Sequence, residues 1–215
     1  MNFLRWGEDM DSKKFAKDKI CTSLLKLLKK VDFREISVKE IIAEADISRS
    51  SFYYHFGNTD DVLDYIIETF VKEYMASARY SIDAASPITT HEGMRETSLL
   101  SWKKNIQFAY THQSVIYILT KPEYRLRLLK ELELYYKNYF SSVRMKYKTL
   151  YSQEKPLRLG SLYDFLAYKC AAEQLCSLDY LVNRNFSDAP EEIASIFCEA
   201  FSLFFTESNL NMLPT

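Results

Sequence analysis

Residues 37–56 have the sequence SVKEIIAEADISRSSFYYHF, which contains two short helical patterns separated by a very short turn. Ser37 and Glu40 form a capping-box pattern, in which a serine is followed three residues later by a glutamate. This pattern predicts that the first helix begins directly after Ser37. Ser48 is in position to cap the second helix in the same way, through its hydroxyl group. The stretch therefore predicts two consecutive short helices joined by a turn around Asp46.

The second of these helices has an unusual outward surface. At about 100° per residue, Phe52 and Phe56 fall on one side of the helix and are predicted to be buried. Ser50 and Tyr54 point the opposite way, where an ordinary exposed helix carries Glu and Lys. Small hydroxyl groups permit close approach to a DNA duplex, and phenol groups can reach phosphates or base edges. The alternative is a helix that merely packs against aromatic neighbours.

Two short helices joined by a tight turn are typical of the helix-turn-helix, whose second helix enters the major groove of DNA. Arg49 can donate two hydrogen bonds to guanine or hold a phosphate. The start of the first helix can hold a phosphate oxygen through its backbone N–H groups. The candidate DNA-contacting residues in this stretch are Ser37, Lys39, Ser48, Arg49, Ser50, Ser51, Tyr53, Tyr54 and His55.

The rest of the chain also has helical periodicity. With only 4 glycines and 5 prolines in 215 residues, we expect an all-α protein of about nine helices joined by short loops. Further helices are predicted at about 13–30, 60–81, 93–112, 114–120, 122–149, 161–184 and 190–208, with a loop at 83–91. Asp188 and Glu191 form a second capping-box pattern before the last helix.

Several classes of protein are disfavoured by the composition. No stretch resembles a signal peptide or a membrane-spanning helix, so we expect a cytoplasmic protein without membrane contact. We find no Gly-rich phosphate loop, no nucleophile–base pair at motif spacing and no metal-ligand cluster, so neither an enzyme nor a cofactor is expected. His91 and His112 lack a partner at metal-ligand spacing. The cysteines, which form no C-x-x-C pair, are expected to be reduced, with a redox-sensing thiol as the alternative; they are Cys21, Cys170, Cys176 and Cys198.

The charge distribution is a weak indicator. The formal net charge is −1, which by itself does not indicate a polyanionic partner. Residues 1–59 carry 11 Lys or Arg against 9 Asp or Glu, so the positive charge is slightly concentrated near the helix-turn-helix.

The stretch FREISVKEIIAEADISRSSFYYHFGNTDDVLDYI, residues 33–66, resembles the N-terminal DNA-binding domain of the TetR family of transcriptional repressors. SFYYHF at 51–56 matches the end of that family's second helix, in wording closest to a subgroup common in Gram-positive bacteria. The resemblance covers about residues 13–65, and DYLVNRNFSDAPEEIASIF at 179–197 is similar to the end of the subgroup's regulatory domain. It implies a helix-turn-helix domain at 1–60 and a helical regulatory and dimerisation domain at 61–215.

The sequence departs from the family pattern at three positions. The family usually has glycine where this chain has Asp32 and Asp46, and Asp is among the few other residues that tolerate positive φ. The family also places a lysine against a phosphate at the position of Thr59, which is followed here by Asp60 and Asp61. Loss of this cation predicts weaker binding to DNA with a shallower salt dependence. A protein-interaction co-regulator with weakened DNA contacts is the alternative function.

The resemblance also implies a homodimer, a near-palindromic operator and a small, mostly apolar effector that releases the repressor. The last two long helices are expected to form the dimer interface, with candidates Tyr163, Cys170, Phe197, Phe201 and Phe204. The aromatic residues of the middle helices are expected to line an effector pocket, with candidates Trp102, Phe108, Tyr135, Tyr139 and Tyr168. For both sets the alternative is ordinary packing inside one chain, because aromatic residues at helical spacing usually form core.

Overall fold

The computed structural model of the chain describes residues 12–83, 91–147 and 156–202. The regular elements within these ranges are all helical, which confirms the predicted all-α class. They are α1 (Ser12–Leu27), a 3₁₀ turn (Phe33–Glu35), α2 (Val38–Ala45), α3 (Arg49–His55), α4 (Thr59–Asp83), α5 (His91–Thr111), α6 (Gln113–Leu119), α7 (Pro122–Tyr147), α8 (Pro156–Asn183) and α9 (Pro190–Ser202).

Helix α4 is the central element of the packing. It contacts α1 on one side and both α5 and α7 on the others, while α5 packs against α9 and α7 packs against α8. Its apolar residues recur at helical spacing, and Leu63, Ile67 and Tyr74 are completely buried. One continuous apolar cluster runs from Ile20 of α1 to Cys198 of α9. The helix-turn-helix is therefore attached to the rest of the described chain through α4.

Two local features differ from the sequence pattern. The family has glycine at the position of Asp32, which permits positive φ, but the φ of Asp32 is −66° and its carboxylate caps the 3₁₀ turn by accepting a hydrogen bond from the Arg34 N–H. Asp188 was expected to cap α9, but its carboxylate accepts hydrogen bonds from Nε and Nη2 of Arg184 at 2.5 and 2.7 Å. The first hydrogen bonds of α9 are instead accepted by the carbonyl oxygen of Ala189, from the N–H groups of Glu192 and Ile193. Asp32 is extended because it is the N-cap of the 3₁₀ turn, whereas at Asp188 a nearby guanidinium competes for the carboxylate.

The lengths and boundaries of the long helices depart modestly from the predictions. Helix α8 begins at Pro156, before the predicted start at 161, because proline is well tolerated in a first turn. Helix α4 continues through Asp83, and residues 84–90 of the predicted loop lie outside the described part of the chain. Within the described ranges, no helix combines the length and the apolar character needed to span a bilayer.

Candidate nucleic-acid interface

The start of α2 is fixed by the predicted capping box. The Ser37 hydroxyl oxygen accepts a hydrogen bond from the Glu40 N–H at 3.3 Å, and the Glu40 carboxylate accepts from the Ser37 N–H at 2.7 Å. The same carboxylate oxygen accepts from the Ser37 hydroxyl at 2.8 Å, and these bonds lower the pKa of Glu40. Lys39 is exposed beside them. A phosphate at this helix start would have to compete with Glu40 for Ser37.

The turn between α2 and α3 is closed by a left-handed residue. Asp46 has φ 49° and ψ 58°, as expected for an aspartate in place of glycine. The Ile47 N–H donates to the Ile42 carbonyl at 3.3 Å, which is the 6→1 bond of a Schellman motif. The half-buried Ile47 side chain packs against the apolar core. The turn thus ends α2 and redirects the chain into α3 with few residues.

Helix α3 has one buried side and one open side. Phe52 is completely buried and Phe56 is 5% exposed, with their ring centroids 6.2 Å apart. Tyr53 and Tyr54 are 47% and 66% exposed, and Ser50 is also exposed. The predicted orientation of the helix is therefore confirmed, whereas contact of this face with DNA stays a prediction.

The outward side chains of α3 are held in place by their neighbours. The Ser48 hydroxyl oxygen accepts from the Ser51 N–H at 3.0 Å and lies 2.9 Å from the Ser50 hydroxyl oxygen. The guanidinium of Arg49 lies 5.5 Å from the centre of the Tyr53 ring, within the range of a cation–π contact. These contacts arrange hydroxyl, phenol and guanidinium groups along one side of a short helix.

The connection from α3 to α4 is held by two hydrogen bonds between side chains and backbone N–H groups at the start of α4. The Asn58 side-chain oxygen accepts from the Asp61 N–H at 2.9 Å, and the Asp61 carboxylate accepts from the Gly57 N–H at 2.8 Å. A Cβ at Gly57 would lie 2.9 Å from that carboxylate, so glycine is favoured there. Thr59, the first residue of α4, is half-buried. The carboxylate of Asp61 therefore has a structural partner, and α3 is tied firmly to the start of α4.

The candidate effector residues mostly take part in packing within the chain. Trp102 is buried with its ring 5.1 Å from that of Phe197, and Phe108 lies 5.9 Å from the ring of Tyr74. Tyr135 is half-buried against the core. The ring of Tyr139 contacts the ring of Phe140. Tyr168 is the most exposed of the five candidates, at 51%. Their role in ligand binding stays a prediction.

The candidate dimer residues are also engaged within the chain where the structure describes them. The Phe197 ring lies 5.6 Å from Tyr180, and the Tyr163 ring stacks on Phe140 at 6.0 Å. Cys170 is half-buried. The side chains of Phe201 and Phe204 lie outside the described part of the structure. The more exposed apolar side chains of α8 and α9 are Phe165, Tyr168, Tyr180 and Ile196.

Sequence reasoning missed a buried polar group between the long helices. The Tyr74 hydroxyl donates to the Gln174 side-chain oxygen at 2.9 Å, joining residues 100 positions apart. The Ser77 hydroxyl donates to the Asn105 side-chain oxygen at 2.9 Å a turn away. Tyr74 is completely buried, and burial raises its pKa above the ordinary value. The sequence signal that could have indicated this buried hydrogen bond was a tyrosine, Tyr74, among the apolar residues of α4.

Two of the four cysteines, Cys21 and Cys170, have the character expected of structural thiols, whereas Cys176 is exposed. Burial raises the pKa of the Cys21 thiol to about 12, with a smaller contribution from Asp18. Burial likewise raises the pKa of the Cys170 thiol to about 11. Both groups therefore carry a proton at neutral pH, and a protonated thiol is a poor nucleophile.

Comparisons with known proteins agree with this geometry. Residues 20–66 match the model of the bacterial regulatory proteins, tetR family. No curated protein sequence matches the chain. Among solved structures, a protein described as a TetR-family transcriptional regulator from Syntrophomonas wolfei is 16% identical with TM-score 0.64, covering 90% of this chain and 96% of that one. The fatty acid degradation regulator FadR from Bacillus halodurans is 15% identical with TM-score 0.59, covering 89% and 95%.

At these identities the structural likeness shows a shared fold, and it extends over nearly the whole of both solved chains. The matched residues 20–66 contain α2, the turn at Asp46 and α3. The chain therefore resembles the tetR family of bacterial regulatory proteins in its helix-turn-helix, and it shares its fold with solved structures described as regulators of that family.

Proposed function

We propose that the protein is a cytoplasmic, dimeric repressor that binds a near-palindromic DNA operator through α3. The observation that carries this proposal is the open side of α3, where Arg49, Ser50, Tyr53 and Tyr54 are exposed. The buried Phe52 fixes the opposite side, so the helix has little freedom to rotate. Short hydroxyl and rigid phenol groups suit close approach to base edges and phosphates.

We assign the remaining DNA contacts to the ends of α2 and α4. Lys39 is an exposed cation at the start of α2. His55 is the last residue of α3, and Thr59 is the first residue of α4. In the proposed domain organisation, residues 1–60 form the operator-binding domain and residues 61–215 form the regulatory and dimerisation domain. The junction lies at the first turn of α4, where the Gly57–Asp61 cap joins the two parts.

We further propose that two copies associate through α8 and α9. One helix-turn-helix covers too little of a groove for useful specificity, and paired reading helices about 34–36 Å apart contact successive turns of the duplex. Phe165 and Tyr168 on α8 and Ile196 on α9 are 63%, 51% and 43% exposed in the single chain. Apolar side chains of this size gain from burial in a self-complementary interface.

The proposed effector site lies among α4, α5, α7 and α8. Tyr74 and Gln174 bond to each other there, surrounded by aromatic rings such as that of Phe108. A mostly apolar molecule with one or two polar groups could exchange its own hydrogen bonds for the Tyr74–Gln174 bond. Since α4 also carries the start of the operator-binding part, a ligand that shifts α4 would move α3.

A binding experiment tests the proposal. The protein is used to select duplexes from a random-sequence pool, and affinity for a selected duplex is measured by fluorescence anisotropy at several salt concentrations. We expect specific binding whose logarithm falls linearly with the logarithm of salt concentration. Sedimentation equilibrium should give twice the monomer mass of 25.3 kDa, and Phe165→Glu should shift it toward the monomer. Absence of salt-sensitive binding to any selected duplex would contradict the DNA-binding proposal.

The second candidate function is a protein-interaction co-regulator, which the acidic start of α4 favours. Thr59 stands where the family has a phosphate-binding lysine, and the carboxylates of Asp60 and Asp61 follow it directly. The same selection distinguishes the two functions, because a co-regulator enriches no duplex while remaining folded and dimeric. Thr59→Lys would then be expected to create DNA affinity that the wild type lacks.

A further inference from the structure

Arg127 of α7 forms a two-pronged ion pair with the first two turns of α4. Its Nη2 donates to Asp60 at 2.5 Å and its Nη1 donates to Asp64 at 3.0 Å. The two carboxylates are one helical turn apart, a spacing that matches the fork of a guanidinium. The guanidinium also lies 5.9 Å from the centre of the Phe33 ring in the 3₁₀ turn. One side chain of α7 thus contacts two segments that flank the helix-turn-helix.

The first part of α7 supports the same contact. The Tyr124 ring lies edge-on to Phe33 at 6.0 Å and is 4% exposed. Lys121, just before α7, donates from its ammonium group to the Leu28 carbonyl at 3.4 Å, beyond the end of α1. Arg127 therefore belongs to a patch in which α7 meets three segments of the N-terminal part of the chain.

Arg127 lies among several acidic side chains where α4 and α7 meet, and its guanidinium offsets their negative charge. Asp60, Asp64 and Glu68 follow one another at four-residue spacing on α4, and Glu131 lies one turn beyond Arg127 on α7. Burial raises the pKa of Glu131, and Glu68 and Asp64 raise it further, so these carboxylates are close enough to repel. Without the guanidinium, α4 and α7 would face each other with acidic groups and would separate more easily.

The position of α4 is transmitted directly to α3. Asp61 lies between Asp60 and Asp64 in sequence, and its carboxylate binds the Gly57 N–H at the end of α3. The rings of Phe56 and Tyr65 lie 5.7 Å apart, which adds a side-chain contact between the same two helices. A movement of the first turn of α4 away from α7 would therefore carry the open side of α3 with it.

We propose that Arg127 is a positioning residue that holds the start of α4 against α7 and so sets the orientation of α3 for its operator. This inference rests on the proposed DNA-binding function but concerns a side chain outside the DNA-contacting surface. Arg127 acts through Asp60 and Asp64 and makes no contact with DNA itself. The same clamp connects the regulatory helices to the operator-binding helices, so its strength governs how far they move together.

The test compares Arg127→Met with Arg125→Met, a matched control on the same helix. Arg125 pairs with Asp179 of α8, inside the regulatory part, and does not contact α4 in the described contacts. Amide hydrogen exchange of residues 49–55 is measured without DNA, relative to residues 102–109 of α5, which neither arginine touches in the described contacts. We expect Arg127→Met to speed exchange in α3 about threefold to tenfold, as for a partly exposed ion-pair network, and Arg125→Met to leave the ratio unchanged.

A second readout separates positioning from direct contact with phosphate. On a duplex selected by the wild-type protein, Arg127→Met should weaken binding about threefold to tenfold while the salt slope stays the same. Asp60→Asn combined with Asp64→Asn should give a similar effect on exchange, and adding Arg127→Met to that pair should change little more. A salt slope reduced by about 0.9 per subunit would identify Arg127 as a phosphate contact and overturn the proposal.

The two proposals fail in different ways. Unchanged exchange of α3 in Arg127→Met, or equal effects of Arg127→Met and Arg125→Met, would refute the clamp even if DNA binding is strong. A wild-type protein that selects no duplex would end the DNA-binding proposal, and the exchange measurement alone would still decide whether the clamp exists.

Discussion

Replacing Tyr54 by alanine tests the proposed reading surface most directly. The side chain is 66% exposed on the open side of α3, and its ring lies 5.0 Å from that of His55. Exposed substitutions of this kind usually change the free energy of unfolding by no more than about 0.5 kcal/mol. Alanine also favours helix formation, so α3 should remain folded. The expected effect is therefore on DNA binding and hardly on stability.

The size of the effect follows from the contacts that Tyr54 would make. A hydrogen bond to a charged phosphate, or a base-edge contact, contributes about 1.5 kcal/mol. A homodimer makes the contact twice, which gives about 3 kcal/mol, or roughly a hundredfold loss of affinity at 1.4 kcal/mol per factor of ten. Tyr54→Phe, which removes only the hydroxyl, should recover the part of this loss that comes from ring contact with the duplex.

Fluorescence anisotropy on a selected duplex measures the loss, with circular dichroism and urea unfolding as checks on the fold. Leu134→Ala is the matched control, because Leu134 is also a large exposed side chain, 49% exposed, but lies on α7. We expect the control to keep wild-type affinity. If Tyr54→Ala binds as tightly as Leu134→Ala, the open side of α3 is not the surface that contacts DNA, and the proposed site is wrong.

Three further predictions concern single positions. Thr59→Lys should strengthen DNA binding and steepen the plot of log affinity against log salt by about 1.8 for a dimer, and an unchanged slope would place this residue away from phosphate. Asp46→Val should be less stable to urea than Asp46→Gly by about 1–2 kcal/mol, because φ is 49° there, whereas equal stability would mean that the turn relaxes. Burial raises the pKa of Glu173, with Lys169 opposing. The folded state then holds the proton more tightly than the unfolded state, so stability falls as pH rises from the ordinary carboxyl value to the raised one. Glu173→Gln should remove this fall and raise the urea midpoint at about pH 7.5, and a lower midpoint would contradict the assignment.

The helix-turn-helix was predictable from sequence because its determinants are local. The caps at Ser37 and Ser48 act over three residues, and the side of α3 that is buried follows from the spacing of Phe52 and Phe56. The left-handed conformation of Asp46 follows from the need to turn sharply between two helices. Such features need no knowledge of the rest of the fold, and each is found where the sequence places it.

The regulatory part was less predictable because its contacts join distant residues. Helical spacing shows that Phe197 lies on the apolar side of α9, but not whether its partner is Trp102 of the same chain or a second copy. Nothing in local sequence pairs Tyr74 with Gln174. The carboxylate of Asp188 had two possible donors nearby, and Arg184, which directly follows α8, competed successfully with the start of α9. Periodicity gives a side chain's direction, whereas the partner depends on how the helices pack.

The acidic start of α4 bears on which of the two candidate functions is the better explanation. If Asp60 and Asp61 were unpaired, their negative charge beside Thr59 would repel a phosphate and would indicate that DNA binding has been lost. In the structure each carboxylate has a partner: Asp61 binds the Gly57 N–H, and Asp60 binds Arg127. Charges that are paired within the protein repel a phosphate less than unpaired charges do. The acidic pair is therefore accounted for by the attachment of α3 to α4 and of α4 to α7, and only the absence of a lysine at position 59 still favours the co-regulator.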